Sequence, residues 1–211
     1  MCTLGEVENA LQVLACGYLK KAVKPSQQEF ERAYASKEGQ EVLRDKVILL
    51  HCTTEYPAPL EEVNLKAMDT VGKAFGLPVG YSDHTKGISI PIAAAARGAI
   101  LIEKHFTLDK NLPGPDHNAS LNPDELKTMI RAIREVEVAL GSGSKFPSKS
   151  EFKNRAIARK SLVALTKIKQ GEQFTSQNLG IKRPGDGISP ANYWDFIGKQ
   201  ASKDYEIDEK L

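Results

Sequence analysis

The sequence predicts an α/β protein: about three βα units of the kind that build a (β/α)8 TIM barrel, then a small β-rich domain. Three observations carry this. Apolar strand-like runs alternate with helix-like segments three times between residues 46 and 140. Each run leads into a polar cluster containing His, Ser, Thr or Glu, the layout of a parallel barrel's active face. After Gly141-Ser142-Gly143-Ser144 the pattern changes to short β-prone pieces separated by turns, which marks a second domain.

Taken in order, Thr3 followed by Glu6 forms a capping box, and Leu4, Val7, Leu11 and Leu14 recur at helical spacing. The chain therefore opens on a helix. A polar stretch follows to about Asp45. Lys46-Val47-Ile48-Leu49-Leu50 then reads as a buried strand, ending in the loop His51-Cys52-Thr53-Thr54-Glu55-Tyr56-Pro57-Ala58-Pro59, where the prolines forbid further strand. A helix is expected over 60–75, and a strand over Leu77-Pro78-Val79-Gly80-Tyr81 that runs into Ser82-Asp83-His84-Thr85. An Ala-rich helix over 88–98 and a third strand, Ala99-Ile100-Leu101-Ile102, lead to Glu103-Lys104-His105-Phe106-Thr107. Beyond the loop Leu112–His117, Asn122 or Asp124 caps a long helix with the core stripe Leu126, Met129, Ile130, Ile133, Val136 and Leu140.

Alternation of strand and helix implies parallel pairing. Three strands do not close a barrel that takes eight strands and about 250 residues. The expected organisation is a partial barrel over 1–145, a linker over 146–157 and a small domain over 158–211, with β pieces at Ser161–Leu165 and Leu179–Lys182. A domain of that size is marginal by itself.

Composition narrows the function classes. The chain has 211 residues, 41% hydrophobic and 27% charged, as an ordinary globular protein does. Lys and Arg total 29 against 27 Asp and Glu, for a net charge of +2, which argues against nucleic acid or an anionic membrane as partner. No run approaches the roughly 20 apolar residues of a membrane span, and the N-terminus lacks a signal-peptide layout, so a cytoplasmic location is expected. Cys2, Cys16 and Cys52 form no C-x-x-C pair. They read as reduced thiols, with Cys52 buried.

His84 and His105 each stand just past a strand, with one helix between them. Neighbouring strands lie about 4.8 Å apart, so both imidazoles can reach one point above the sheet. Two imidazoles completed by water and substrate oxygens suit Mn²⁺, Zn²⁺ or Fe²⁺; the plain alternative is a pair of hydrogen-bonded loop histidines. Glu103 shares a strand face with His105 by the period of two. Asp116 follows the rigid Pro113-Gly114-Pro115 and suits sugar hydroxyls or a metal-bound water; solvated surface carboxylates are the alternative for both. Ser82, Thr53 and Thr54 offer hydroxyls for phosphate or carboxylate oxygens. Tyr56 bonds a ligand or packs its ring, and pattern favours packing. Arg183, before the turn Pro184-Gly185-Asp186-Gly187, suits bidentate grip of a carbonyl or carboxylate, or is one more surface Arg.

The runs 51–59, Gly80-Tyr81-Ser82-Asp83-His84-Thr85, Ile102-Glu103-Lys104-His105-Phe106-Thr107-Leu108-Asp109 and Pro113-Gly114-Pro115-Asp116-His117 are similar, in order and spacing, to sialic acid synthases. The tail resembles the antifreeze-like (SAF) domain of that family through Ala158-Arg159-Lys160-Ser161-Leu162 and Lys182-Arg183-Pro184-Gly185. The resemblance implies N-acetylneuraminate synthase chemistry, a condensation of phosphoenolpyruvate with N-acetylmannosamine or a related acylated sugar. The enol carbon attacks the sugar aldehyde, water adds to the resulting oxocarbenium carbon, and phosphate leaves with C–O cleavage. It implies a divalent metal on His84 and His105, Mn²⁺ first, with Mg²⁺ or Co²⁺ as alternatives. Glu103 and Asp116 become catalytic residues; together with Tyr56 they face the sugar. Ser82 and Thr54 belong to the phosphoenolpyruvate side, although some members carry Asn in place of Thr54. Arg183 reaches into the partner's site in a domain-swapped homodimer to grip the N-acyl group.

Family members have about five further strands before the helix that opens this chain. Met1–Gly5 resembles the loop after the fifth, which implies a reading frame starting at an internal methionine, a partly encoded site and no turnover by this chain alone. Legionaminic and pseudaminic acid synthases, which differ in acceptor sugar, are the near alternatives. A non-catalytic module for assembly or sugar binding is the alternative from another class.

Overall fold

A capping box starts the first helix as expected: the Thr3 side chain accepts from the Glu6 amide, and the Glu6 carboxylate accepts from the Thr3 amide. This is seen in a computed structural model, which describes residues 1–19 and 24–211. The chain divides into two compact units, Met1–Gly143 and Ser144–Leu211.

In the first unit, α1 (Leu4–Tyr18) buries Leu11 and Ala15 with Val7 beside them, while Leu4 and Leu14 are exposed. The core line is thus the i, i+4 row 7–11–15 rather than the wider stripe read from sequence. Two short helices, α2 (Gln27–Ala35) and α3 (Lys37–Lys46), occupy much of what reads as a polar stretch; its residues 20–23 lie outside the described residues. Both are mostly polar, so their apolar signal is weak, yet Ser26 and Ser36 cap them. Ala33 and Leu43 pack with Leu11, Ala15 and Leu77.

The strands are β1 (Leu49–Cys52), β2 (Val79–Asp83) and β3 (Ile102–Lys104), all parallel in the order β1-β2-β3. Each begins later than its apolar run, because Val47, Leu77 and Ala99 pack into cores as the chain enters the sheet. Consequently His51, Cys52, Glu103 and Lys104 lie within strands rather than beyond them. β1 is half-buried, not fully buried. A Cβ at Gly80 would lie 2.6 Å from the Leu101 carbonyl oxygen, so only glycine allows β2 this close to β3.

The helix expected over 60–75 is split into a 3-10 turn (Leu60–Glu62) and α4 (Lys66–Phe75), with Asn64 between them at φ 43°. α5 (Ser89–Ala96) follows β2, and Val63, Met68, Tyr81 and Ala94 form the core beside the sheet. Asn122 caps α6 (Pro123–Leu140) through a capping box with Glu125. Of its predicted stripe only Met129 is fully buried; Ile130 and Leu140 are exposed.

The second unit opens with α7 (Lys149–Ala158), started by a Ser148–Glu151 capping box within the stretch read as linker. β4 (Ser161–Ala164) pairs antiparallel with β5 (Leu179–Lys182). Single bridges at Val163–Lys210, Ile168–Tyr205 and Gln173–Gln200 wrap the chain around Leu162, Ile168, Phe174 and Leu179, and α8 (Tyr193–Phe196) packs Tyr193 and Phe196 against that core. The α/β class, with its parallel three-strand sheet and small antiparallel sheet, is the one the sequence predicts.

Candidate active site

Strand parity builds the site. In β2 and β3 the register pairs Ser82 with Glu103 and Asp83 with Lys104, and one step further sets His84 opposite His105. Side chains alternate across a sheet, so Ser82, His84, Glu103 and His105 share one face, and Asp83 and Lys104 take the other.

On the first face, buried Ser82 donates from its hydroxyl to Glu103 Oε1 at 2.6 Å. Beyond this pair the rings of His84 and His105 meet edge to face, with centroids 5.2 Å apart. Tyr56 completes the cluster, stacked on His105 at 4.2 Å and edge-on to His84 at 5.4 Å. Asp116 brings a carboxylate oxygen to 3.7 Å from His105 Nδ1. His84 Nδ1 lies 4.0 Å from Cys52 Sγ, and Cys52 is half-buried rather than buried.

Two loops carry Tyr56 and Asp116 to this place. After β1 the chain turns through a cis Tyr56–Pro57 bond, and the Ala58 amide donates to the His84 carbonyl at 2.9 Å. The Asp116 carbonyl accepts from Tyr56 Oη at 3.2 Å and Ser120 Oγ at 2.7 Å. It also accepts the amides of Ala119 and Ser120, at 3.2 and 3.0 Å. Nearby, His117 Nδ1 is 2.7 Å from the buried Thr107 hydroxyl, which itself donates to the Asp109 carbonyl.

The structure thus brings together Tyr56, Ser82, His84, Glu103, His105 and Asp116. Thr54 is exposed on the loop after β1, while Thr53 donates to the Glu62 carbonyl at 3.2 Å. Arg183 belongs to the second unit, where its Nε donates to the Ala158 carbonyl at 3.0 Å. Among the described residues no cluster of three or more His, Cys, Asp or Glu is placed to hold a metal. The donor set at His84 and His105 is two neutral-capable nitrogens with a nearby carboxylate. It fits a borderline ion that takes its remaining ligands from water or substrate. With ring centroids 5.2 Å apart, the two imidazoles would be the groups to hold such an ion.

Sequence reasoning missed the opposite face. Lys104 Nζ lies 2.5 Å from Asp83 Oδ2 and 2.6 Å from the Thr85 carbonyl oxygen, and Asp83 Oδ1 accepts the Thr85 amide at 3.0 Å. Both charged groups are buried, with side-chain exposures of 4% and 0%. Their alternation with the site residues was the available signal. Tyr81, also on this face, is held well above the usual phenol range by burial first and by the nearby Asp83 charge second.

Residues 1–145 match the NeuB family and residues 159–209 the SAF domain. The chain belongs to the NeuB family. It is 53% identical to N,N'-diacetyllegionaminic acid synthase of Campylobacter jejuni over 100% of this chain and 56% of that protein. Identity to the enzyme of the same name from Legionella pneumophila is 49%, over 76% of this chain and 45% of that one. The chain thus spans about half the length of the curated relatives it matches. A crystal structure of N-acetylneuraminic acid (sialic acid) synthetase from Leptospira borgpetersenii, in complex with citrate, is similar with a TM-score of 0.53 and 33% identity. That match covers 72% of this chain and 53% of the crystallised one. Among the described residues no helix is long and apolar enough to cross a membrane.

Proposed function

We propose that this chain supplies the metal-binding and sugar-facing part of a sialic-acid-type synthase, which joins phosphoenolpyruvate to the aldehyde carbon of an N-acylated sugar. The observation that carries the reading is the edge-to-face His84–His105 pair at matching strand ends, flanked by Asp116 and Glu103. His84 and His105 hold the divalent cation, Mn²⁺ first; when bound, it supplies Lewis-acid polarisation of the aldehyde oxygen.

The chain's own groups orient the reactants. Asp116, half-exposed beside His105, takes acceptor hydroxyls. Glu103 spends one oxygen on Ser82 and keeps the other for a sugar hydroxyl. Ser82 and Thr54 belong to the phosphoenolpyruvate side; in the complex the Ser82 hydroxyl turns its proton from Glu103 to a phosphoenolpyruvate oxygen. Tyr56 has its hydroxyl directed at the Asp116 carbonyl and Ser120, which supports a role as a ring that packs the imidazoles and closes the sugar side. Fixed donors and carboxylates of this kind lower a barrier by being in place before charge develops.

A second reading of the acceptor is favoured by the relatives of 53% and 49% identity, both named N,N'-diacetyllegionaminic acid synthase. It is a sugar with two N-acetyl groups rather than N-acetylmannosamine.

The test replaces the matching 56% of the Campylobacter jejuni relative with this chain. Phosphate release and 2-keto acid formation are then followed with each acceptor. Turnover that requires phosphoenolpyruvate supports the synthase reading, and the better acceptor decides between the sugars. His84→Ala and His105→Ala should each abolish Mn²⁺ binding. Unchanged affinity in both variants rejects the metal site.

A further inference from the structure

The buried Lys104–Asp83 ion pair has no task in the chemistry above, and its setting is unusual for a device of stability alone. Burying two charges costs desolvation that their attraction often fails to recover, and apolar replacements of such pairs are frequently neutral or stabilising. What this pair does have is position. Asp83 precedes His84 and Lys104 precedes His105, and the two face each other in the β2–β3 register. Lys104 Nζ also grips the Thr85 carbonyl at 2.6 Å, while Asp83 Oδ1 takes the Thr85 amide at 3.0 Å. The residues on both sides of His84 are therefore tied to the strand that carries His105, Asp83 through its carboxylate and Thr85 through its carbonyl.

We infer that Lys104 and Asp83 are positioning residues: a cross-strand clamp on the far face of the sheet that sets the spacing and orientation of the His84 and His105 imidazoles. The directional bonds to Thr85 carry the effect, because they stop the strand end from rotating its side chains away from the site face. Groups bonded directly to a metal-binding imidazole change metal affinity by about 10–100-fold when removed, which sets the scale for a clamp that acts through the adjoining backbone. The part of the inference that concerns metal rests on the two-histidine reading; the part that concerns ring geometry does not.

The experiment uses the full chain and separates geometry from stability. Lys104→Met leaves a buried unpaired carboxylate and should destabilise. Lys104→Met/Asp83→Leu removes both charges and should recover much of that stability while lacking every bond to Thr85. Asp83→Asn keeps an acceptor for the Thr85 amide and nearly the same shape, so it gives a folded test if the others fail. Met68→Ala, in the adjacent core, is the control for general loosening. Two readouts are taken on folded protein: nuclear Overhauser contacts among the rings of His84, His105 and Tyr56 without metal, and Mn²⁺ affinity by electron paramagnetic resonance.

The clamp predicts lost ring contacts and at least tenfold weaker Mn²⁺ binding in the double variant, a smaller loss in Asp83→Asn, and neither change in Met68→Ala. Ring contacts kept, with affinity within twofold, in the folded Asp83 and Lys104 variants overturn it, and so does an equal loss in Met68→Ala. If the unaltered chain binds no Mn²⁺, the two-histidine metal reading fails, and the ring contacts alone decide the clamp.

Discussion

Replacing Tyr56 by Phe and by Ala separates two roles that a tyrosine in this place can have. The Asp116 carbonyl receives four donors: Tyr56 Oη, Ser120 Oγ and the amides of Ala119 and Ser120. Tyr56→Phe removes one and leaves the oxygen satisfied, so the cost is that of a surplus, exposed hydrogen bond, about 0.5 kcal/mol at the low end of the usual range. Tyr56→Ala also deletes the contacts at 4.2 and 5.4 Å to His105 and His84. At about 0.5–1.5 kcal/mol for each aromatic contact, the loss is about 1–3 kcal/mol, before any burial term. The assay pairs urea unfolding and Mn²⁺ titration of the chain with acceptor KM in the chimera. Phe should behave nearly as the parent in all three; Ala should lose stability and bind Mn²⁺ about tenfold more weakly as the rings are freed. A Phe variant of parental stability whose acceptor KM rises tenfold would refute this reasoning. It would show the hydroxyl turning from the loop to the sugar.

The remaining predictions concern the helix that follows the site and the second unit. Asn122→Ala removes the cap that accepts the Glu125 amide at 2.9 Å and should cost about 1 kcal/mol in urea unfolding. The Glu125 carboxyl is held below the ordinary range, first by the Lys110 ammonium and then by the Asn122 amide. A depressed carboxylate stabilises the fold above its unfolded pKa and loses that contribution as pH falls through the folded value. Glu125→Gln should therefore flatten the acid limb of stability below the usual carboxylate range and cost most near neutrality; an unchanged acid limb contradicts the assignment. For Arg183, proposed to grip the N-acyl group in the site of a second copy, loss of the charged hydrogen bond should cost about 1.5–3 kcal/mol of acceptor binding in the chimera. If the assembly is the swapped homodimer that the resemblance implies, mixing Arg183→Ala and His84→Ala chimeras should restore up to about a quarter of parental activity after subunit exchange, because half the dimers would be mixed and each would hold one intact site. Proven exchange with no recovered activity rules out action in trans.

Much of the fold was legible because helices and strands announce themselves by different periods. The capping box at Thr3 fixed its helix start to the residue, Asn122 was one of the two caps offered for α6, and Leu179–Lys182 was bounded correctly as a β piece. α2 and α3 were missed because each buries little besides Ala33 or Leu43, too little apolar signal for a period. Strand starts were placed early for the opposite reason. Val47, Leu77 and Ala99 are apolar because they pack against helices before pairing begins. Hydrophobicity reports burial, and pairing is only one way to be buried.

The site was legible to the extent that sequence spacing and sheet register coincide. Ser82 and Glu103 are separated by 21 residues, as are Asp83 and Lys104. That offset is the β2–β3 register itself, which is why His84 and His105 meet. The same offset brings Asp83 to Lys104 on the reverse face, yet a carboxylate and an ammonium in a polar run read as solvated surface groups. Only packing reveals them as buried, because it covers one face of β2 with α4 and α5 and leaves the other to the loops. Sequence alternation therefore carries the partners of both faces, but the Asp83–Lys104 side went unread because alternation does not rank the faces by exposure. The catalytic reading depends on the open face, whereas the clamp depends on the closed one. A strand end that presents chemistry on one side must be held from the other, since a loop residue free to rotate cannot keep two imidazoles in one geometry.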